Sequence, residues 1–239
     1  MRYLFIILVV FLSACAAEQV VQQSGSITDT ELLLGNGFKK LSQRNAKNAI
    51  VDFDKAIALC QGQYSSDEQK TYASRGMIET IYYMTKAAAD KESAIAVGPA
   101  CSEALFLRGY ASLDLGQVEL AEEFMQRAID MAPVNAAYLS EMGHIYHIKR
   151  EWKNALDVFI KAEEAATSFS PPELKELELS RAKRGVGYSL IELGRIDEAE
   201  QKLRECLKIN KKDKGALKEL EYIEHIRSDM PVSPETLEE

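Results

Sequence analysis

A fixed set of small residues recurs along this chain, and this recurrence constrains the fold more than any other feature. The set Gly109, Gly116, Ala121, Ala128 and Pro133 returns 34 residues later as Gly143, Arg150, Ala155, Ala162 and Thr167. After a further 44 residues it returns as Gly187, Gly194, Ala199 and Cys206. Weaker copies precede it: Ala87, Ala94 and Pro99, and before them Gly37, Ala49, Phe53 and Ala56. A repeat of this length is one structural unit that buries its core by stacking on its neighbours.

The residue types within the repeat predict pairs of helices. The chain has only 13 glycines and 6 prolines in 239 residues, which favours helices over many short strands. Small residues such as Gly109 and Ala121 let two helices approach closely. Pro133 ends its helix pair because proline cannot continue a helix. Bulkier residues at a constant offset are expected to fill the space between units, namely Phe53, Met125, Phe159 and Leu203.

This spacing and these residue types resemble the tetratricopeptide repeat, a pair of antiparallel helices about 34 residues long. The resemblance implies an all-α fold, a right-handed superhelix of about five helical hairpins closed by a C-terminal capping helix. We place the array at residues 28–227, with units at 30–64, 68–101, 102–135, 136–169 and 180–213 and the cap at 214–227. The second unit is degenerate. The extra residues before the fifth unit, around Pro171 and Pro172, predict a longer first helix there.

The N-terminal segment has the features of a bacterial export signal. Arg2 precedes an apolar run from Tyr3 to Leu12, which is too short to span a bilayer because a spanning helix needs about 20 apolar residues. The residues Leu12-Ser13-Ala14-Cys15 resemble the lipobox of bacterial lipoproteins. That resemblance implies a signal peptide at 1–14, acylation of Cys15 and a flexible tether at 15–27. Ala16 then favours the outer membrane, facing the periplasm. The alternative is an ordinary signal peptide with an incidental cysteine.

Three cysteines would remain besides Cys15. In an oxidising compartment an odd number allows one internal disulfide at most. Cys60 and Cys101 are the candidate pair, but we favour unpaired thiols because a disulfide requires close Cα atoms. Cys206 occupies a position where the repeat calls for a small buried residue, so we expect it in the core.

Charge and motif content argue against nucleic-acid binding and catalysis. The net charge is −8, whereas phosphate binding requires clustered lysines and arginines. The chain has no glycine-rich phosphate loop, no Gly-x-Ser-x-Gly and no His-Glu-x-x-His. His144 and His147 lie one helical turn apart, but two ligands at this spacing are weak evidence for a metal. We therefore expect no enzyme, no cofactor and no metal. Residues 228–239, with four acidic residues and two prolines, are expected to be disordered.

The resemblance also implies where a partner binds. In this family the first helix of each hairpin lines a concave groove that usually holds the partner. Transferring that spacing predicts a binding surface of Phe106, Tyr110, His144, His147, Arg181, Arg184 and Tyr188, with Phe38, Met77, Tyr222 and His225 as outlying positions. Exposed aromatic and arginine side chains are typical of binding hot spots. The alternative for each aromatic residue is packing between helices.

These observations predict a binding protein. The first hypothesis is an outer-membrane adaptor, similar in build to the repeat lipoproteins of pilus assembly, that holds a protein or peptide partner in its groove. The second is an immunity or inhibitor lipoprotein that neutralises a basic toxin, and an enzyme is the third. The membrane is contacted through the lipid anchor. Apolar surface on the groove or the end helix would also allow oligomerisation.

The lipobox generates a direct test. We expect Cys15→Ala in the full chain to lose metabolic palmitate labelling and to move from the membrane pellet to the soluble fraction, because the Cys15 thiol is the acylated atom. The matched control, Cys206→Ala, should keep both the label and the membrane fraction. Palmitate retained on the Cys15→Ala chain would contradict a lipoprotein.

Overall fold

Helices dominate the computed structural model of the protein, which describes residues 18–64 and 68–229, with side chains from 29 to 228. The elements in chain order are α1 (Glu18–Ser42), α2 (Ala46–Tyr64), β1 (Lys70–Ala73), α3 (Met77–Asp90), β2 (Ala94–Val97), α4 (Ala100–Asp114), α5 (Val118–Met131), α6 (Ala136–Ile148), α7 (Trp152–Ser168), α8 (Pro172–Glu192), α9 (Ile196–Ile209) and α10 (Lys214–Asp229). None of these helices is long and apolar enough to cross a membrane. The predicted signal peptide and Cys15 lie outside the described residues.

Four helical hairpins stack side by side in this part of the chain: α1 with α2, α4 with α5, α6 with α7, and α8 with α9. The helix α10 packs on α9 and α8 and closes the stack, as the sequence predicts. The first hairpin packs directly against α4. Arg108 of α4 donates from Nε to Asp54 Oδ1 of α2 at 2.7 Å. The superhelical all-α fold is confirmed, with four hairpins rather than five.

The predicted second hairpin, at residues 68–101, is wrong. The strands β1 and β2 pair in parallel, from Lys70 opposite Ala94 to Ala73 opposite Val97, and α3 crosses between them. Parallel strands need such a crossover connection. The two four-residue strands are too short to leave a strong pattern in the sequence, whereas the alanines of α3 and β2 imitate the repeat. The segment from Lys70 to Val97 is therefore an insertion that leaves the stack of hairpins continuous.

The turn inside each hairpin repeats one backbone conformation. Gly116 and Gly194 both have φ of 74°, and the equivalent positions Arg44 and Arg150 have φ of 58° and 57°. In each turn the amide of the next residue bonds a carbonyl five residues earlier, as Glu151 N does to Tyr146 O at 2.9 Å. This left-handed cap satisfies carbonyls that the helix end leaves open. Glycine adopts it without steric cost, which explains why two of the four positions are glycine.

The interior is built from the small and bulky residues of the repeat. Ala121, Ala155 and Ala199 are fully buried. Phe159 lies between two glycines: a Cβ on Gly143 would come within 2.6 Å of its ring, and one on Gly185 within 2.2 Å. The bulky positions that the sequence predicts to fill the space between units are all buried: Phe53, Met125, Phe159 and Leu203.

The ends of the array differ from the predicted boundaries. The helix α1 begins at Glu18, so a flexible tether over 15–27 is wrong for residues 18–27, and no helix begins at Thr28. Ser228 and Asp229 belong to α10, so predicted disorder is wrong for them, and residues 230–239 lie outside the described part. The sequence predicts a longer first helix in the last hairpin, and this is confirmed: α8 has 21 residues, whereas α4 has 15.

Cys60 and Cys101 form a disulfide, with Cα atoms 5.7 Å apart, so the interpretation that left them unpaired is wrong. The reason is tertiary: the insertion loops out of the stack, and the end of α2 therefore meets the start of α4. Cys206 is a buried free thiol, as predicted. The disulfide closes the base of the insertion.

Reduction of this disulfide should destabilise the protein. The bond joins residues 41 positions apart and restricts the unfolded chain, so we expect dithiothreitol to lower the free energy of unfolding by about 2–4 kcal/mol. Thermal unfolding followed by circular dichroism measures this. Cys60→Ser with Cys101→Ser should show the lower Tm with or without the reductant, whereas Cys206→Ala should keep the response to reductant. A wild-type Tm unchanged by dithiothreitol would refute the bond.

Candidate functional site

A groove with a volume of about 770 Å³ runs across the first helices of successive hairpins and onto α10. Most of its wall comes from α4, α6, α8 and α10, which turn the same face toward it, and Phe159 of α7 contributes one more residue. Six of the seven residues in the predicted binding surface line this groove: Tyr110, His144, His147, Arg181, Arg184 and Tyr188. The helical spacing of the repeat therefore brings together residues up to 78 positions apart in sequence.

Phe106 is the exception among the predicted residues. It is half-buried, its ring stacks on Tyr138 with centroids 4.8 Å apart, and it packs against the core of the first hairpins. Its ring lies 6.5 Å from that of Tyr110, which is 39% exposed and lines the groove. Phe106 therefore packs between helices beneath the groove wall, next to Tyr110. This is the alternative that the sequence analysis gave for each aromatic residue.

Both arginines of the groove have carboxylate partners. Arg181 of α8 pairs with Glu141 of α6, and Arg184 Nη1 donates to Asp213 Oδ2 at 2.5 Å. Glu141 is almost fully buried, and a buried carboxylate needs such a partner. The side chains of both arginines remain more than a third exposed. Each arginine thus fixes a helix junction and still presents its guanidinium to the groove.

Asp213, just before α10, organises the junction behind Arg184. Its Oδ2 accepts from Ser180 Oγ at 3.0 Å and its Oδ1 accepts from the amide of Ala216 at 3.0 Å, so it caps α10. Burial opposes ionisation of Asp213, but the Ala216 amide and the Arg184 guanidinium prevail and lower its pKa. A Cβ on Gly215 would come within 2.6 Å of Arg184 Cδ. Glycine at 215 is what leaves space for the Arg184 side chain.

His147 is packed rather than free in the groove. Its Nε2 lies 2.7 Å from Ser189 Oγ, and its ring contacts those of Trp152, Phe159 and Tyr188 at centroid distances of 4.8 to 5.9 Å. Burial, with a smaller contribution from His144, lowers the pKa of His147 to about 4. His147 is therefore neutral near neutral pH. His144, by contrast, is exposed on the groove wall.

Several wall residues lie outside the predicted set: Ser140, Glu141, Gly215 and Glu219. Ser140 and Glu141 precede His144 on the same face of α6, so a wider use of the helical spacing would have found them. Gly215 is visible only once α10 is docked. Ser140 Oγ is buried and has no hydrogen-bond partner among the described side chains and backbone. One polar atom in the groove wall is thus unsatisfied.

The groove continues along α10 into an acidic end. Tyr188 and the exposed Tyr222 lie there with four glutamates and one lysine: Glu192, Glu219, Glu221, Glu224 and Lys218. Burial raises the pKa of Tyr188, and the carboxylate of Glu192 raises it further. Burial also raises the pKa of Glu219. Burial is the larger cause of both shifts, and the negative charge at this end of the groove comes from the four glutamates themselves.

Of the four outlying positions predicted for the binding surface, two line the groove and two do not. Tyr222 and His225 line the acidic end. Phe38 is exposed on α1 but is not part of the groove wall. Met77 is exposed at the start of α3, away from the groove, because residues 68–101 are not a hairpin. No group of three or more potential metal ligands occurs within residues 18–64 and 68–229.

Comparison with known families agrees with the arrangement of hairpins. Family models of the tetratricopeptide repeat match residues 85–136, which include α4 and α5, and residues 185–213, which include α9. The chain contains tetratricopeptide repeats. No curated protein matches the tetratricopeptide-repeat chain in sequence.

Solved structures share the fold of this repeat protein. The pilF protein of Pseudomonas aeruginosa is 15% identical, with a TM-score of 0.60 over 85% of this chain and 71% of pilF. A structure of MamA is 18% identical, with a TM-score of 0.51 over 82% of this chain and 85% of MamA. A second MamA structure, MSR-1 C2, is 16% identical, with a TM-score of 0.50 over 83% and 87%. At these identities the likeness establishes the fold alone.

The environment of His147 predicts an acid-dependent loss of stability. Its unfolded pKa is near 6.5 and its folded pKa is about 4, so the unfolded chain gains a proton first as pH falls. The contribution of the neutral ring is therefore complete above pH 6.5 and declines between pH 6.5 and 4. Proton NMR should show the His147 ring titrating below pH 5. His147→Phe should flatten the stability profile over this interval, whereas His144→Gln should not, and a His147 pKa near 6.5 would contradict the assignment.

Proposed function

We propose that the protein is a lipid-anchored periplasmic adaptor of the outer membrane that binds a polypeptide segment of a partner protein in its groove, in pilus or secretion-system assembly. The observation that carries the proposal is the groove itself, which the first helices of the hairpins line with Tyr110, His144 and Tyr188. Its elongated wall of aromatic and polar side chains is suited to an extended or helical segment. The role proposed is binding rather than catalysis.

The side chains of the groove indicate the chemical character of the partner segment. Arg181 and Arg184 are neutralised by Glu141 and Asp213, so they contribute hydrogen-bond donors rather than net charge. The acidic end around Tyr188 and Tyr222 is not neutralised to the same degree. A segment with apolar side chains against Tyr110 and Tyr188 and a basic residue toward Glu192 would fit both features. Ser140 Oγ offers a further polar contact if the wall adjusts around the segment.

Two observations support the proposed compartment. The residues Leu12 to Cys15 resemble a lipobox, and acylation anchors such proteins to the membrane. The Cys60–Cys101 disulfide suits an oxidising compartment such as the periplasm, since disulfides are rare in the cytosol. The likeness in fold to pilF is compatible with a role in pilus assembly.

The acidic end of the groove also favours a second candidate, an inhibitor that neutralises a basic toxin. Both candidates use the same surface and differ in the bound protein. A resident envelope protein in the groove supports the adaptor, and an imported toxin supports the inhibitor.

The groove assignment is tested by substitution and capture. We expect Tyr110→Ala with Tyr188→Ala to weaken capture of the partner from solubilised envelopes at least tenfold, because aromatic side chains supply most of the apolar contact area. The matched control is Val51→Ala with Ile160→Ala, which removes exposed apolar side chains outside the groove. Quantitative mass spectrometry of the captured protein provides the readout. Equal capture by the groove variant and the control would refute the groove as the binding site.

A further inference from the structure

An exposed apolar surface lies outside the groove, on α3 and the first turns of α8. Met77 is 77% exposed, Leu177 66%, Ile81 60% and Ile78 59%. With Tyr82 and Leu174, which are less exposed, these residues form what we call the apolar edge. A monomeric soluble protein rarely exposes so many large apolar side chains together, and such a surface marks a contact with a protein or a membrane.

The two parts of the apolar edge are held together by direct contacts. Arg75, just before α3, donates from Nη1 to Glu178 Oε1 of α8 at 2.6 Å and from Nε to Glu79 Oε1 at 2.8 Å. The ring of Tyr82 lies 4.6 Å from that of Phe169, at the end of α7. The two glutamates are nearly buried, so this ion-pair cluster is desolvated and specific in geometry. These contacts hold the start of α3 beside the first turns of α8.

The helix α3 already buries one face in the core, so its exposed apolar residues are additional to that buried face. The opposite face of α3 is already satisfied: Tyr83 is fully buried, stacks on Tyr72 with centroids 4.9 Å apart, and shares a core cluster with Ala166 and Ala182. A surface helix normally turns polar residues toward water. In the first turns of α3 apolar residues point both inward and outward.

The apolar edge lies at the same end of the hairpins as the beginning of α1. The amide of Ser74, which directly precedes Arg75, donates to Val97 O at 2.9 Å, so the start of α3 adjoins the end of β2. The next residues, Gly98 and Pro99, line a small cavity together with Thr30 of α1. From Thr30 back to Glu18 the helix α1 rises about 18 Å. Cys15 is only three residues before Glu18.

From this placement we propose that the apolar edge inserts its side chains into the interfacial region of a lipid bilayer. The proposed acylation of Cys15 holds the start of α1 at the membrane, and the apolar edge is the large exposed apolar surface at that end. The first turns of α8 add Glu173, Lys175 and Glu176, a net charge of about −1, so anionic lipid is not expected to strengthen the contact. The orientation rests on the proposed lipid anchor, whereas the affinity of the apolar edge for lipid does not.

The consequence is a fixed orientation of the groove. A single acylated cysteine leaves a protein free to rotate about its tether, whereas a second contact on the folded part restricts it. The apolar edge and the anchor together would fix the orientation of the stack, and with it the direction in which the groove opens.

Vesicle binding without acyl chains tests the proposal. The full chain carrying Cys15→Ala is floated with phosphatidylcholine vesicles, with and without phosphatidylglycerol. We expect measurable partitioning that anionic lipid does not increase. Adding Ile78→Ser, Ile81→Ser and Leu177→Ser should lower the partition coefficient more than tenfold, because interfacial binding scales with the apolar area buried. The control adds Val51→Ser, Ile160→Ser and Leu217→Ser, exposed apolar positions elsewhere, and should bind as before.

Other results overturn the proposal. Absence of vesicle binding, or equal binding by the two triple variants, removes the lipid contact. Stronger binding to anionic vesicles shows that charge carries the contact. A dimer in sedimentation that the apolar-edge variant abolishes, with no vesicle binding, identifies a second copy as the occupant. Tyr110→Ala with Tyr188→Ala should bind vesicles normally, and palmitate labelling reports on Cys15 separately, so failure here is distinct from failure of the groove or the anchor.

Discussion

In three of the four hairpins, a bulky side chain of the second helix packs against a glycine of the first helix. Phe159 shows this most clearly, because its ring occupies the space that a Cβ on Gly143 or Gly185 would take. Gly187 and Leu203 repeat the arrangement in the next hairpin. Packing at this distance leaves almost no tolerance for volume changes. Since Phe159 also contacts His147 and lines the groove, the packing that holds the hairpins together also shapes the candidate site.

The insertion shows how a repeat array accepts an irregular segment. The first hairpin still packs on α4, so the core passes the insertion without interruption. Three devices hold the inserted segment: the disulfide at its base, the buried tyrosines Tyr72 and Tyr83, and the pairing of Arg75 with Glu178. A segment fixed at three places can carry a surface of its own, and the α3 part of the apolar edge lies on it.

The charges of the groove serve structure as well as recognition. Arg184 passes over Gly215 to reach Asp213, and Asp213 in turn caps α10. Arg181 neutralises the buried Glu141 between α6 and α8. These pairs fix the spacing of the first helices, so selectivity is left to the aromatic side chains and the acidic end. Substituting either arginine would therefore disturb the fold and the site together, whereas Tyr110 and Tyr188 can be changed with less structural effect.

The sequence by itself determined the helical hairpins, the inward positions and most of the groove. Gly143, Ala155 and Phe159 must face the interior wherever the repeat occurs, since the helical period places them on one face. The same period put Tyr110, His144 and Arg181 on another. The tertiary structure alone decided the fate of residues 68–101, the Cys60–Cys101 bond and the packing of Phe106 and His147. A short parallel strand pair has no local signal, and a disulfide or a ring contact depends on distances between segments remote in sequence. Periodicity specifies which way a side chain faces along its own helix, but only the docked neighbours decide what it meets.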